Sequence, residues 1–154
     1  MTTDHKAATT TSTIDDIRAV ATAGARVAAD LCDDAYVRKM AVDLRLGDLN
    51  AVERLMPPFR ADYRANYKNL PRAMDLRCTA AFAIEAAARA HAEPDAYEAR
   101  FGVLSARNSC VCVTQRIDCD PVDVNGEHGD ESRAKVDALA AKYVAADVIA
   151  SVLS

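Results

Sequence analysis

Residues 71–92 read PRAMDLRCTAAFAIEAAARAHA, and the way this stretch is read decides the fold. Nine alanines lie between Arg72 and Ala92, and with Met74, Leu76, Phe82 and Ile84 they almost encircle a helix. A helix that is apolar on nearly every side belongs in the middle of a domain, not on its rim. Pro71 suits the first turn, where the missing backbone donor costs nothing. The prediction is a central helix from Arg72 to about Ala92, approached closely by neighbours through small side chains.

The flanking sequence supplies those neighbours. Thr13-Ile14-Asp15-Asp16 offers an N-cap and early acidic residues, and Ile14, Ile17, Val20, Ala21, Gly24 and Val27 follow the spacing of a buried helical stripe. Ala35 to Leu46 repeats the pattern with Tyr36, Met40, Val42 and Leu44, and Gly47-Asp48 can break it. Leu49 to Met56 is a third helix, which Pro57-Pro58 is expected to stop. PFRADYRANYKNLP, residues 58–71, is the most aromatic part of the chain and reads as an irregular loop or a short helix. Beyond the central helix, Pro94 and Asp95 introduce another. Its far end alternates Cys110, Cys112 and Thr114 with Val111 and Val113, as in a short strand, though a helix end fits equally well. Residues 118–131 form an acidic loop with proline and glycine. Glu131 to Leu153 reads as the last helix. The expected fold is all-α, a bundle of five to seven helices, with residues 1–13 a flexible tail and 14–154 a single helical domain.

Composition narrows the function. At 154 residues the chain can bury a real core, and a net charge of −4 argues against a nucleic-acid-binding module. No apolar run approaches the roughly 20 residues needed to span a bilayer. The Thr-rich start lacks the apolar centre of a signal peptide, and five cysteines, an odd number, do not suggest a secreted disulfide framework. A soluble, cytoplasmic protein is expected.

Few residues invite chemistry. NSCVCVTQRIDCD, residues 108–120, gathers Cys110, Cys112 and Cys119. The spacing lacks the C-x2-C pair of zinc ribbons, and His128 would be a fourth ligand without a second pair behind it. Packing residues at a helix end, or a covalently attached cofactor, are the other readings. The acidic loop carries six carboxylates in fourteen residues but misses the register of a calcium loop. His91, at the end of the most apolar helix, stands where a globin places its haem ligand, while a helix-end histidine can equally cap the last carbonyls. No catalytic triad, phosphate loop or convergent carboxylate pair is present, so the chain is not expected to be an enzyme.

Taken in order, the helices resemble a phycobiliprotein subunit, a globin-like fold with extra N-terminal helices. IRAVATAGARVA (17–28) is similar to the family's first helix, and ANYKNLPRAMDLRC (65–78) to the stretch entering the bilin-bearing helix. TQRIDCD (114–120) resembles the loop that carries a second bilin cysteine in some β subunits, and AAKYVAADVIASVLS resembles the closing helix. The family's bilin motif is C-x-R-D: the Cys forms the thioether, the Arg pairs a propionate and the Asp holds the pyrrole nitrogens. The corresponding run here is Asp75-Leu76-Arg77-Cys78, so Arg77 matches while Cys and Asp are exchanged. The resemblance implies a non-enzymatic subunit that assembles with other protein subunits and either binds a covalent bilin, at Cys78, Arg77, Asp75 and Cys119, or has lost it. The alternatives are a helical regulatory or viral interaction module without cofactor, and a haem-binding globin. For assembly, the amphipathic N-terminal helix is the expected interface.

Overall fold

The computed structural model describes residues 12–45, 48–66, 72–118 and 129–154. Its helices are α1 (Ile14–Leu31), α2 (Ala35–Arg45), α3 (Leu49–Leu55), α4 (Pro57–Asn66), α5 (Arg72–Ala92), α6 (Ala96–Asp118), α7 (Gly129–Ala140) and α8 (Ala146–Leu153). No strand occurs among the described residues, so the fold is all-α. Met56, between α3 and α4, itself has helical dihedrals (φ −73°, ψ −32°), so those two segments nearly continue one another. Of the tail expected over residues 1–13, residues 1–11 lie outside the described residues. Ser12 and Thr13 are both bonded: the Ser12 and Ser151 hydroxyls share a hydrogen bond of 2.7 Å, and Thr13 caps α1, its hydroxyl accepting from the Asp16 amide at 3.0 Å.

Side-chain caps start several of the helices, and Asp34 and Asp48 do so without having been read as caps from the sequence. Asp48 accepts from the Ala51 amide at 2.9 Å to open α3. Asp34 accepts from the Tyr36 and Val37 amides to open α2, and Asp95 accepts from the Tyr97 amide to open α6. Each such cap is worth about 1 kcal/mol, because it satisfies an amide that has no partner within the helix.

α5 is central, as its composition predicts, packing against α1, α2, α3, α4 and α6. Its alanines at 80, 81, 83, 87, 88 and 90 are all buried. α1 is equally enclosed. It packs on α2, α5, α6, α7 and α8, and Ile17, Val20, Ala21, Ala25 and Val27 lie in the core. The apolar stripe of α1 is thus consumed inside this chain, which corrects the expectation that it faces another subunit. An amphipathic pattern reports that a face is buried, not what buries it.

Three local readings are decided. Pro57 and Pro58 begin α4 instead of ending the helical run, since the first turn of a helix has no use for their missing amides. The Cys110–Thr114 alternation is helical, the second of the two readings left open: it lies in the last turns of the 23-residue helix α6, where the Thr114 hydroxyl donates to the Cys110 carbonyl at 3.1 Å. The expected last helix is broken at residues 141–145, where the Tyr143 and Val144 amides both return to the Ala140 carbonyl. Ile149 and Val152 of α8 are buried, as are Val136 and Ala140 of α7. Nine residues separate Ala140 from Ile149, about two and a half turns at ~3.6 residues per turn, so an unbroken helix would point them to opposite sides.

Gly24 sits in the interior of α1, and a Cβ built on it meets nothing within 4 Å. A small void of about 20 Å³ lined by Gly24, Val20, Val103 and Val136 lies beside it. Gly24→Ala is expected to stabilise the protein by about 0.5–1 kcal/mol, from helix propensity and the lower entropy of the unfolded chain. A urea unfolding midpoint that fails to rise would contradict this.

Candidate functional site

The residues singled out by the resemblance occupy the first two turns of α5, where α1, α2, α4 and α6 surround it. Asp75 turns toward α6: its Oδ2 accepts from Arg116 Nε at 2.5 Å, while Thr79 Oγ1 donates to the Asp75 carbonyl at 2.7 Å. Arg77 turns the other way, its Nη2 3.4 Å from Asp62 Oδ2 on α4 and its Nε 3.6 Å from Asp34 Oδ2 at the start of α2. Its guanidinium carbon lies 5.8 Å from the centre of the Phe59 ring. Cys78 faces α4, with no exposed surface, and its Sγ donates to the Phe59 carbonyl at 3.5 Å. Residues three apart share a helix face only loosely, and on a helix wrapped on all sides that looseness sends Asp75 and Cys78 to different neighbours. Cys119 lies outside the described residues.

Beside Arg77 an open cleft of about 470 Å³ is lined by Cys32, Asp33, Asp34, Met74, Leu76 and Arg77 itself. Its size falls within the range of small-molecule pockets, about 300–1,000 Å³. Arg77 Nε is enclosed there without a hydrogen-bond partner. Its 3.6 Å approach to Asp34 makes an ion pair but is too long for a hydrogen bond. Sequence reasoning passed over Cys32, which is buried at the end of α1. Its register announces it: Ala21, Ala25 and Ala28 precede it at helical spacing, and all three are buried.

The three buried thiols, Cys32, Cys78 and Cys110, are held protonated. Burial raises Cys78 above the ordinary thiol value, Asp62 adding to this and Arg77 opposing it. Burial likewise raises Cys32, with Asp34 next in effect. Cys110, whose Sγ donates to the Gly24 carbonyl at 3.4 Å, is pushed up to about 12 by its burial. Thioether formation needs an accessible thiolate. Cys78 is enclosed and neutral, and Asp75 and Arg77 are committed to other helices, so these residues do not fit a covalent linear tetrapyrrole at Cys78. Among the described residues, no group of three His, Cys, Asp or Glu side chains could hold a metal ion. His128 lies outside them.

His91 is not the cap of its helix. That role belongs to Arg18 of α1, whose Nε donates to the His91 carbonyl at 3.1 Å and whose Nη2 donates to the Glu93 carbonyl at 3.4 Å. Next to His91 the α5–α6 crossing is very close. A Cβ on Gly102 would stand 2.7 Å from the Ala90 Cβ, so a haem ring has no room between these helices at that level. Burial first, and the Arg18 charge second, lower the His91 pKa from 6.5. The unfolded chain therefore binds the proton more readily, and the contribution of this residue is present above about pH 6.5 and lost as the pH falls through the lowered value. Unfolding free energies measured from pH 7.5 down to 5 should decline, and less steeply in His91→Gln. Parallel curves would refute this.

Ion pairs hold the outer helices. Arg60 of α4 bridges Glu53 and Glu85, and Arg89 lies 2.6 Å from Glu53, linking α3, α4 and α5. Arg107 grips Asp137 with both ends of its guanidinium, at 2.9 and 2.7 Å, pinning α7 to α6. Arg100 donates to the Val152 carbonyl at 2.8 Å and fastens α8 to α6. No described helix is long and apolar enough to cross a membrane. No family model, curated protein or solved structure matches the chain.

Proposed function

We propose that the chain is a non-enzymatic helical assembly subunit of phycobiliprotein-like, globin-like build that works without a bound pigment. The observation that carries this reading is the fate of the three bilin-motif residues. Asp75 ties α5 to α6 through Arg116, Arg77 ties it to the start of α2 and to α4, and Cys78 is sealed against the Phe59 carbonyl. Groups that would hold a chromophore here hold helices to each other. Assembly is supported by the outer face of α6, where Tyr97 and Phe101 are 64 % and 48 % exposed. Their rings meet edge to face, with centres 4.7 Å apart. Aromatic residues are enriched at protein interfaces because they bury much area at little entropic cost.

The two halves of the reading are tested separately. The chain is co-expressed with bilin- and haem-synthesising enzymes, purified and denatured. No covalent visible absorption is expected, and a native thiol-labelling rate at Cys78 far below that of the unfolded chain should accompany it. A coloured denatured chain, or Cys78 labelled in the native state as fast as in urea, would overturn the pigment-free half. In an extract of the cells that naturally make it, the protein should sediment well above 16.5 kDa. A monomer there would remove the assembly half.

A further inference from the structure

Two exposed surfaces of this molecule complement each other. The first is a projection at the start of α6: the Tyr97–Phe101 pair with Asp95 and Glu98 exposed beside it. Glu98 and Phe101 are one turn apart on the same helix, so carboxylate and ring belong to one patch. The second is a hollow of about 350 Å³ between α4 and α5, lined by Arg60, Tyr63, Arg64 and Phe82. Tyr63 and Phe82 meet edge to face there with ring centres 5.6 Å apart, and Tyr63 remains 44 % exposed. The charge of Arg60 is answered within the chain by Glu53 and Glu85, which leaves the exposed Arg64 as the basic member of the rim. One surface is an aromatic projection with an acidic edge, and the other an aromatic hollow with a basic edge.

We infer that the Tyr97–Phe101 projection of one copy docks into the Tyr63–Phe82 hollow of a second copy, with Glu98 of the first facing Arg64 of the second. This deepens the assembly reading and rests on it. Aromatic faces and edges favour such edge-to-face stacks. Opposite charges at the rim set orientation more than strength, since such pairs stay wet and screened. The two surfaces differ, so the contact is heterologous. Each copy that donates a projection still offers an empty hollow, and association continues into a ring or a chain instead of stopping at a dimer.

Sedimentation of the purified chain over rising concentration is expected to give species at successive multiples of 16.5 kDa. Phe101→Ala and Arg64→Glu should each weaken association at least tenfold, and both positions are exposed, so the fold should survive. Glu98→Arg should weaken it too, and Arg64→Glu combined with Glu98→Arg should restore most of the loss. A mixture of Phe101→Ala, which keeps the hollow, with Arg64→Glu/Tyr63→Ala, which keeps the projection, should form dimers and nothing larger. Failure of the charge exchange to restore association, or growth of the mixture beyond dimers, would overturn the inference. So would a monomeric purified chain. Monomers here alongside a large species in the native extract would refute self-docking and leave the assembly reading standing; monomers in both would remove both.

Discussion

Phe59→Ala should cost about 3–5 kcal/mol of stability, a large part of the 5–15 kcal/mol that folded domains typically have. Phe59 is 2 % exposed and heads the large side chains buried in the core. It touches two of the three bilin-motif residues, Arg77 and Cys78. Its ring takes the edge of Tyr36 at 5.5 Å between centres, it lies beneath the Arg77 guanidinium, and its carbonyl accepts from Cys78. Removing the ring therefore leaves a cavity and also frees Arg77 from one wall, so the loss should exceed that of a comparable isolated truncation. Denaturant unfolding followed by circular dichroism checks it. The telling secondary result is Cys78, whose native labelling should accelerate in Phe59→Ala as α4 loosens. A loss below 1 kcal/mol would mean that Phe59 is not the keystone of α4 against α5.

Gly102→Ala should cost about 1–3 kcal/mol, through overpacking and not through a cavity. The added methyl would stand 2.7 Å from the Ala90 Cβ and 3.1 Å from the Ala90 Cα, and the second of these is backbone, which cannot swing aside. The same substitution that is expected to help at Gly24 should harm here. Only the space in front of the new methyl distinguishes them, since helix propensity favours alanine at both. Ala90→Gly made together with Gly102→Ala removes one of the clashing atoms. The double variant should lose clearly less than the two single losses added, the signature of a direct contact. Additive losses would place the strain elsewhere.

Much of the bundle is written plainly in the chain. Thr13 and Asp95 mark helix starts because their hydroxyl and carboxylate fit amides that the helix leaves unpaired. The alanines of α5 mark a helix enclosed by others. What escaped reading depends on direction. Pro57-Pro58 carries the same local message whether a helix ends before it or begins on it, and only the packing of Phe59 decides. The break after Ala140 has neither glycine nor proline to announce it, though the half-turn mismatch between Ala140 and Ile149 was there to be counted. The candidate site failed for a related reason. Asp75, Arg77 and Cys78 sit close in sequence, but on a helix surrounded by five others Asp75 meets α6 while Arg77 and Cys78 turn to α2 and α4. Sequence spacing fixes an angle around the axis and says nothing of which helix waits there.

The hydrogen bond between Ser12 and Ser151 has a topological consequence. It places the first described residue, just ahead of α1, beside α8, although 139 positions separate the two along the chain. From Ser12 onward the described helices form nearly a closed circuit, and where that circuit is cut matters less than that its helices meet. A circular permutant, with a short linker joining the end of α8 to the start of α1, would keep every helix–helix contact described above. It would also turn α1, now among the longest-range partners of α7 and α8, into their neighbour in sequence. The order in which the bundle closes would then change while its packing stayed the same.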